Sequence, residues 1–416
     1  MRICSALLQP QPWAAESKHR GNGKEQTELI VDLQEYFKIM VETEASDLYL
    51  TTARPPMFRI EGKVQPSGDH KFTPDELHDV AQGIMNEKQQ REFAETMEMN
   101  MAMSLPGVAR FRVNIFQQRG SVGMVIRRIK VEIMSLEEMG LPAILKDITM
   151  SKRGLVLVVG ATGSGKSTSL AAMIDHRNST EAGHIITIED PIEFVHRHKQ
   201  SIITQREVGF DTLSFQAALK NTLRQAPDVI LIGEIRDTET MEAAMTFAET
   251  GHLCLGTLHS NNANQAIERI MNFFPPERHA QIYLQLSLNL RSIVAQRLIP
   301  SVDGKRVAAL EILLDTPRIK ELIKRGEVDI LKEGMEAGVQ EGCQTFDQAL
   351  FSLYKDEKIA LDQALVNADS ANNLRLKIKL AGLKVDEEPK DAAAPEAQKS
   401  KPEPLQAAGG FRLRKG

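Results

Sequence analysis

Two hydrophobic patterns divide this chain. Over residues 28–129, apolar positions recur at helical spacing or alternate with polar ones. Leu29, Leu33, Phe37, Met40 and Val41 share one face of a helix that begins near Glu28. Residues 45–50 read as a strand, Pro55-Pro56 as a turn, and 57–64 as a second strand around Glu61-Gly62. Thr73 with Glu76 three positions on forms a capping-box pattern, opening a helix through Leu77, Val80 and Ile84. Residues 109–117 and 122–129 flank Gln118-Arg119-Gly120, a hairpin signal. These elements predict a small α+β domain over residues 26–129, followed by a linker at 130–136.

From Gly154 the pattern becomes strand, turn, helix, repeated. Residues 155–159, 185–188, 229–232 and 253–258 are short, largely apolar runs rich in β-branched residues. Such runs read as strands buried on both faces of a mostly parallel sheet. Helical patterns intervene at 167–176, 214–224 and 238–249. Beyond Pro300 the segments read as mainly helical, including 318–324 and 346–355. The second domain is therefore expected over 137–382, with no internal repeat. Residues 1–25 are polar, and 383–416 hold Pro, Ala, Lys and Glu with few large apolar residues. Both ends are expected to be disordered.

Composition narrows the class. Of the 416 residues, 42% are hydrophobic and 26% charged, the profile of a globular protein. A net charge of −5 argues against a general nucleic-acid binder, which carries a basic face. Cys4, Cys254 and Cys343 form no Cys-x-x-Cys pair, so neither a disulfide framework nor a zinc module is expected. The apolar run in residues 1–8 is too short for a secretory signal, and no run of 18 apolar residues spans a membrane. The expected location is the cytoplasm, with any membrane association made through partners.

Gly160-Ala161-Thr162-Gly163-Ser164-Gly165-Lys166-Ser167-Thr168 matches G-x-x-x-x-G-K-[ST], between a predicted strand and a predicted helix. Glycines let backbone N–H groups turn in around phosphate oxygens, and the helix N-terminus adds positive potential. Lys166 is expected to reach the β- and γ-phosphates and the Ser167 hydroxyl to ligate Mg²⁺. ATP and Mg²⁺ are thus the expected ligands. The 229–232 strand ends in Gly233-Glu234, which places a carboxylate where ligands of open α/β sheets bind.

Other clusters have two readings each. Glu189-Asp190-Pro191-Ile192-Glu193 packs three carboxylates into five residues. It is either a solvated turn or, beside a phosphate loop, the source of a base for the attacking water. His252 and His259 bracket the 253–258 strand, as structural residues or as a γ-phosphate sensor. Arg110, Arg112, Arg119, Arg127 and Arg128 lie along two adjacent strands. They form an ordinary basic sheet face or supply arginines to phosphoryl transfer.

Several boxes together resemble the secretion ATPase superfamily: Ile186 through Phe194, Gln205-Arg206-Glu207-Val208-Gly209, and Thr250 through His259. Within it, Leu223-Arg224-Gln225-Ala226-Pro227-Asp228 and Ala248-Glu249-Thr250-Gly251-His252-Leu253 resemble the type IV pilus retraction ATPases, the PilT/PilU family. The details lean to the PilU side: Cys254, His259 through Ala266, and Ser287-Leu288-Asn289-Leu290. The match covers roughly 28–380. The resemblance implies an N-terminal PAS-like domain and a C-terminal RecA-like P-loop domain with a helical C-terminal region. It further implies a homo-hexamer with nucleotide between the domains. By motif position, Glu193 resembles the catalytic glutamate and Glu234 the Walker B acid, a metal contact with Ser167. His252 and His259 fall in the histidine box, and Arg112 and Arg127 match the arginines of the first domain. The implied partners are a PilT-type motor and an inner-membrane pilus platform protein, without nucleic acid or direct membrane insertion. Arg318 through Arg325 matches only loosely the helix that PilT enzymes need for retraction, which points to an accessory motor. The first 25 or so residues have no recognised counterpart and are expected to reflect an upstream start. A pilus assembly or type II secretion ATPase is the alternative, disfavoured by the lack of a four-cysteine zinc module. A RecA-like nucleic-acid motor is the other, disfavoured by the acidic charge.

Overall fold

The computed structural model describes residues 33–105, 109–129 and 132–384. The expected disorder of 1–25 and of nearly all of 383–416 falls outside the described residues, as do Glu28 and Leu29. The chain divides into two compact units, Met1–Lys130 and Val131–Gly416.

The first unit is a six-stranded antiparallel sheet: β1 (Asp47–Leu50), β2 (Met57–Ile60), β3 (Lys63–Pro66), β4 (Glu98–Leu105), β5 (Ala109–Gln118) and β6 (Ser121–Ile129), in the order β3-β2-β1-β6-β5-β4. Along β5, Phe111, Val113 and Ile115 are fully buried while the residues between them are half-buried. That alternation is what a two-residue side-chain period requires when one face is covered. Helices Leu33–Glu42 and Pro74–Ile84 supply cover, with Phe37 stacked on Phe111 at 4.1 Å between ring centroids. The Thr73 capping box is formed. The single strand expected over 57–64 is instead the β2–β3 hairpin. Glu61 and Gly62 adopt φ of 48° and 80°, the left-handed pair a two-residue hairpin turn demands. Helix Glu87–Thr96 and β4 were not foreseen, although Asn86 and Gln89 form a second capping box.

The second unit holds a seven-stranded sheet: β7 (Gly154–Val159), β8 (His184–Glu189), β9 (Ile202–Glu207), β10 (Val229–Ile232), β11 (Leu253–Leu258), β12 (Leu290–Pro300) and β13 (Arg306–Leu314). Its order is β13-β12-β7-β11-β10-β8-β9, parallel except for the antiparallel β12–β13 pair. The four strands expected from sequence are its centre, and β7, β10 and β11 are buried at every position. Two cores sandwich the sheet. Leu155, Leu157 and Val159 enter one, and Val156 and Val158 the other. Beyond Pro300 the chain is not purely helical, because β13 pairs along its length with β12. Helices Pro317–Arg325, Phe346–Lys355 and Ala371–Leu380 follow. Among the described residues, no helix is long and apolar enough to cross a membrane.

Candidate active site

The β7 strand ends in a loop whose conformation only glycine permits. Gly160 and Gly165 have φ of 156° and 87°. A Cβ on Gly160 would stand 2.4 Å from Ser164 Oγ and 2.6 Å from Gln296 O; one on Gly165 would stand 2.8 Å from Gln296 Nε2. The loop leads into helix Lys166–Thr180, whose first amides have no helical acceptor and face a would-be anion. Lys166 Nζ donates to Gly160 O (2.8 Å) and Ala161 O (3.0 Å). Loss of hydration lowers its pKa, and Glu234 and Glu193 work in the opposite direction. Gln296, 1% exposed on β12, braces the loop. Its Nε2 donates to Ser164 O (2.8 Å), and its Oε1 accepts from Ser169 Oγ (2.7 Å).

A cavity of about 490 Å³ opens over this loop. Thr162, Gly163, Gly165, Lys166, Ser167 and Thr168 form one wall, with Glu189 at the end of β8, Asp190 and Glu193 beyond it, Glu234 beyond β10 and His259 beyond β11. Parallel strands deliver these groups together, since β7, β8, β10 and β11 all end at one sheet edge. Glu234 Oε1 lies 3.1 Å from His259 Nε2, and Oε2 lies 2.7 Å from Arg236 Nη2. Arg236 Nη1 also lies 3.7 Å from Asp190 Oδ2. A positive side chain thus stands between carboxylates that would otherwise repel one another. Burial pushes the Glu189 carboxyl up to about 7, against hydrogen bonds from Thr187 and Gln205 that pull it down.

The structure therefore gathers Lys166, Ser167, Thr168, Glu193, Glu234 and His259 around one cavity. It does not bring His252 there. His252 precedes β11, at the other end of a strand about 20 Å long. Its Nδ1 lies 3.3 Å from Phe247 O, at the end of helix Thr238–Glu249. Arg112 and Arg127 sit directly opposite each other on β5 and β6 of the first unit. Arg127 Nε donates to the buried Asp47 Oδ1 at 2.8 Å. Sequence reading missed Gln296, Arg236, and the cavity-lining Leu298 and Arg306. Gln296, Leu298 and Arg306 lie some 130 residues or more from the loop they approach, and no local motif marks them.

The residues fit a nucleotide with its metal. Gly160 and Gly165 admit no Cβ, and the buried Ser164 Oγ has no hydrogen-bond partner. Among the described residues, no group of three or more His, Cys, Asp or Glu could hold a metal by itself. One hydroxyl and one carboxylate suit Mg²⁺, which takes few protein ligands and completes its shell with phosphate and water.

The family model for type II/IV secretion system proteins matches residues 23–351. The chain belongs to this family. It is 56% identical over 351 residues to the type IV pilus ATPase PilU of Pseudomonas aeruginosa, covering 84% of this chain and 92% of that one. It is 43% identical to PilT of the same species, named a type IV pilus retraction ATPase, over 82% of this chain and 100% of that one. A crystal structure of the pilus retraction motor PilT with bound ADP superposes with a TM-score of 0.76 at 42% identity, over 82% of this chain and 98% of that chain. The secretion-protein fold, an N-terminal domain followed by an ATPase domain, is the one described above.

Proposed function

We propose that this chain is an ATP-hydrolysing motor of type IV pilus retraction, of the PilU kind. The observation that carries the chemistry is the single cavity bringing the phosphate loop, Glu193, Glu234 and His259 to one sheet edge. The similarity to PilU carries the biological assignment. In this reading, residues Gly160 through Thr168 cradle the phosphates and Lys166 reaches the β- and γ-oxygens. Ser167 and Glu234 hold Mg²⁺, which when bound neutralises charge on the phosphates. Glu193 takes the proton of the attacking water. His259 orients Glu234 and senses the γ-phosphate, and His252 belongs to the same histidine box. Arg112 and Arg127 stabilise charge on the transferred phosphoryl group. The motor is a homo-hexamer, works with a PilT-type partner, and bears on an inner-membrane platform protein from the cytoplasmic side.

Counting surface pili by electron microscopy in a strain lacking this chain tests the direction of work. Retraction requires that pili persist, in normal or raised number, while twitching or retraction under load fails. Restoring the chain as Lys166→Ala should leave that defect in place. A bald cell would mean an assembly motor and would refute the proposal.

A further inference from the structure

The run Gln205-Arg206-Glu207 belongs to the family pattern but has no part in the reading above. It forms the end of β9, the edge strand beside β8. The loop carrying Glu193 passes along it and is tied to it at alternate residues. Glu207 Oε2 accepts from Ile192 N at 3.3 Å. Gln205 Nε2 donates to Phe194 O at 2.9 Å, and Gln205 Oε1 accepts from His196 N at 2.8 Å. Glu193 lies between the tethered positions and lines the cavity. The same Gln205 Nε2 also donates to Glu189 Oε1 at 3.2 Å. One amide thus uses both its donor and its acceptor to join the end of β8 to the segment just after Glu193, while Glu207 holds the residue just before it.

We propose that Gln205 is a positioning residue, setting where the Glu193 carboxylate stands over the phosphate loop. The proposal rests on the reading of Glu193 as the base. A base misplaced by about 1 Å costs on the order of 10²-fold in rate while the phosphates remain bound by a different loop. The amide is suited to the task because it is neutral and bipolar. The titratable groups around it are Glu189, Glu193, Glu207 and His196, with Asp175 and Lys199 beyond His196. An ionised carboxylate in its place would turn oxygens toward Phe194 O and Glu189 Oε1, repelling both. A protonated carboxyl would remove the repulsion and restore part of the pattern, donating one of the two bonds through O–H and accepting from His196 N through C=O.

The test is Gln205→Glu in the full-length chain, with phosphate release measured from pH 5.5 to 8.5 and affinity measured with a fluorescent ADP analogue. The expected result is a kcat about 10²-fold below native at pH 8, recovering at least about tenfold relative to native toward pH 5.5. Nucleotide Kd should stay within about twofold throughout, which also shows that the variant folds. Gln205→Ala should lose kcat in the native background and lose less than about threefold more when added to Glu193→Gln, because both act on one step. A Q205E deficit that is flat with pH, or a parallel loss of affinity, would overturn the role of Gln205 while leaving Glu193 in place. Native turnover by Glu193→Gln would instead overturn the base assignment beneath it.

Discussion

Glu311 lies on β13, is 2% exposed, and accepts a hydrogen bond from Ala263 N at 2.8 Å. Ala263 opens the helix that follows His259, so this bond anchors the segment just after the cavity. Burial is the first cause raising the Glu311 carboxyl to about 7; Asp369 adds to the effect, and the Ala263 bond, Arg297 and Lys332 oppose it. The folded state therefore holds the proton more tightly than the unfolded chain. Stability present below the ordinary value of 4.5 is lost as pH rises through about 7. A displacement from 4.5 to about 7 corresponds to about 3 kcal/mol, reached only above the folded value. Glu311→Gln keeps the acceptor and removes the charge. Against native protein it should melt at the same temperature near pH 4.5 and higher at pH 8.5. At about 2–4 °C per kcal/mol for a unit of this size, the gain is about 6–12 °C. Thermal melts at a series of pH values measure it. A difference that does not grow with pH, or a variant that is less stable at pH 8.5, would mean Glu311 is held ionised by Arg297 and Lys332.

Further outcomes follow from the same geometry. Lys166→Ala should abolish tight nucleotide binding at a cost of about 1–3 kcal/mol in stability, for the two bonds to loop carbonyls that are lost, and leave the chain folded; calorimetric titration and melts check both. Gly160→Ala should also abolish binding, because its Cβ would meet Ser164 Oγ and Gln296 O and force the loop to shift; a native affinity would contradict the cradle. Arg112→Ala should lower turnover about 10³-fold or more with binding retained. It should leave the first unit at least as stable, because Arg112 faces Arg127 across the sheet and like charges so placed repel.

Local signals were legible in the sequence. The phosphate loop follows from glycine spacing between a strand and a helix, and β7, β8, β10 and β11 from short, largely apolar runs. The helix over 238–249 and the Thr73 cap follow from residues within four positions of each other. β13 was not legible: its buried Glu311 gives it a polar interior position, and its burial depends on pairing with β12 and on capping helix Ala263–Met271. Gln296 brackets the same limit. Its own neighbours in sequence say nothing of the phosphate loop, yet strand order places β12 beside β7 and its amide against Ser164. The acidic box shows the division most clearly. Sequence shows that Glu189, Asp190 and Glu193 need a compensating partner. Only the tertiary structure supplies Arg236 beside Asp190, and Gln205 bonded to Glu189 and to the segment after Glu193, because parallel strands far apart in the chain end at the same edge.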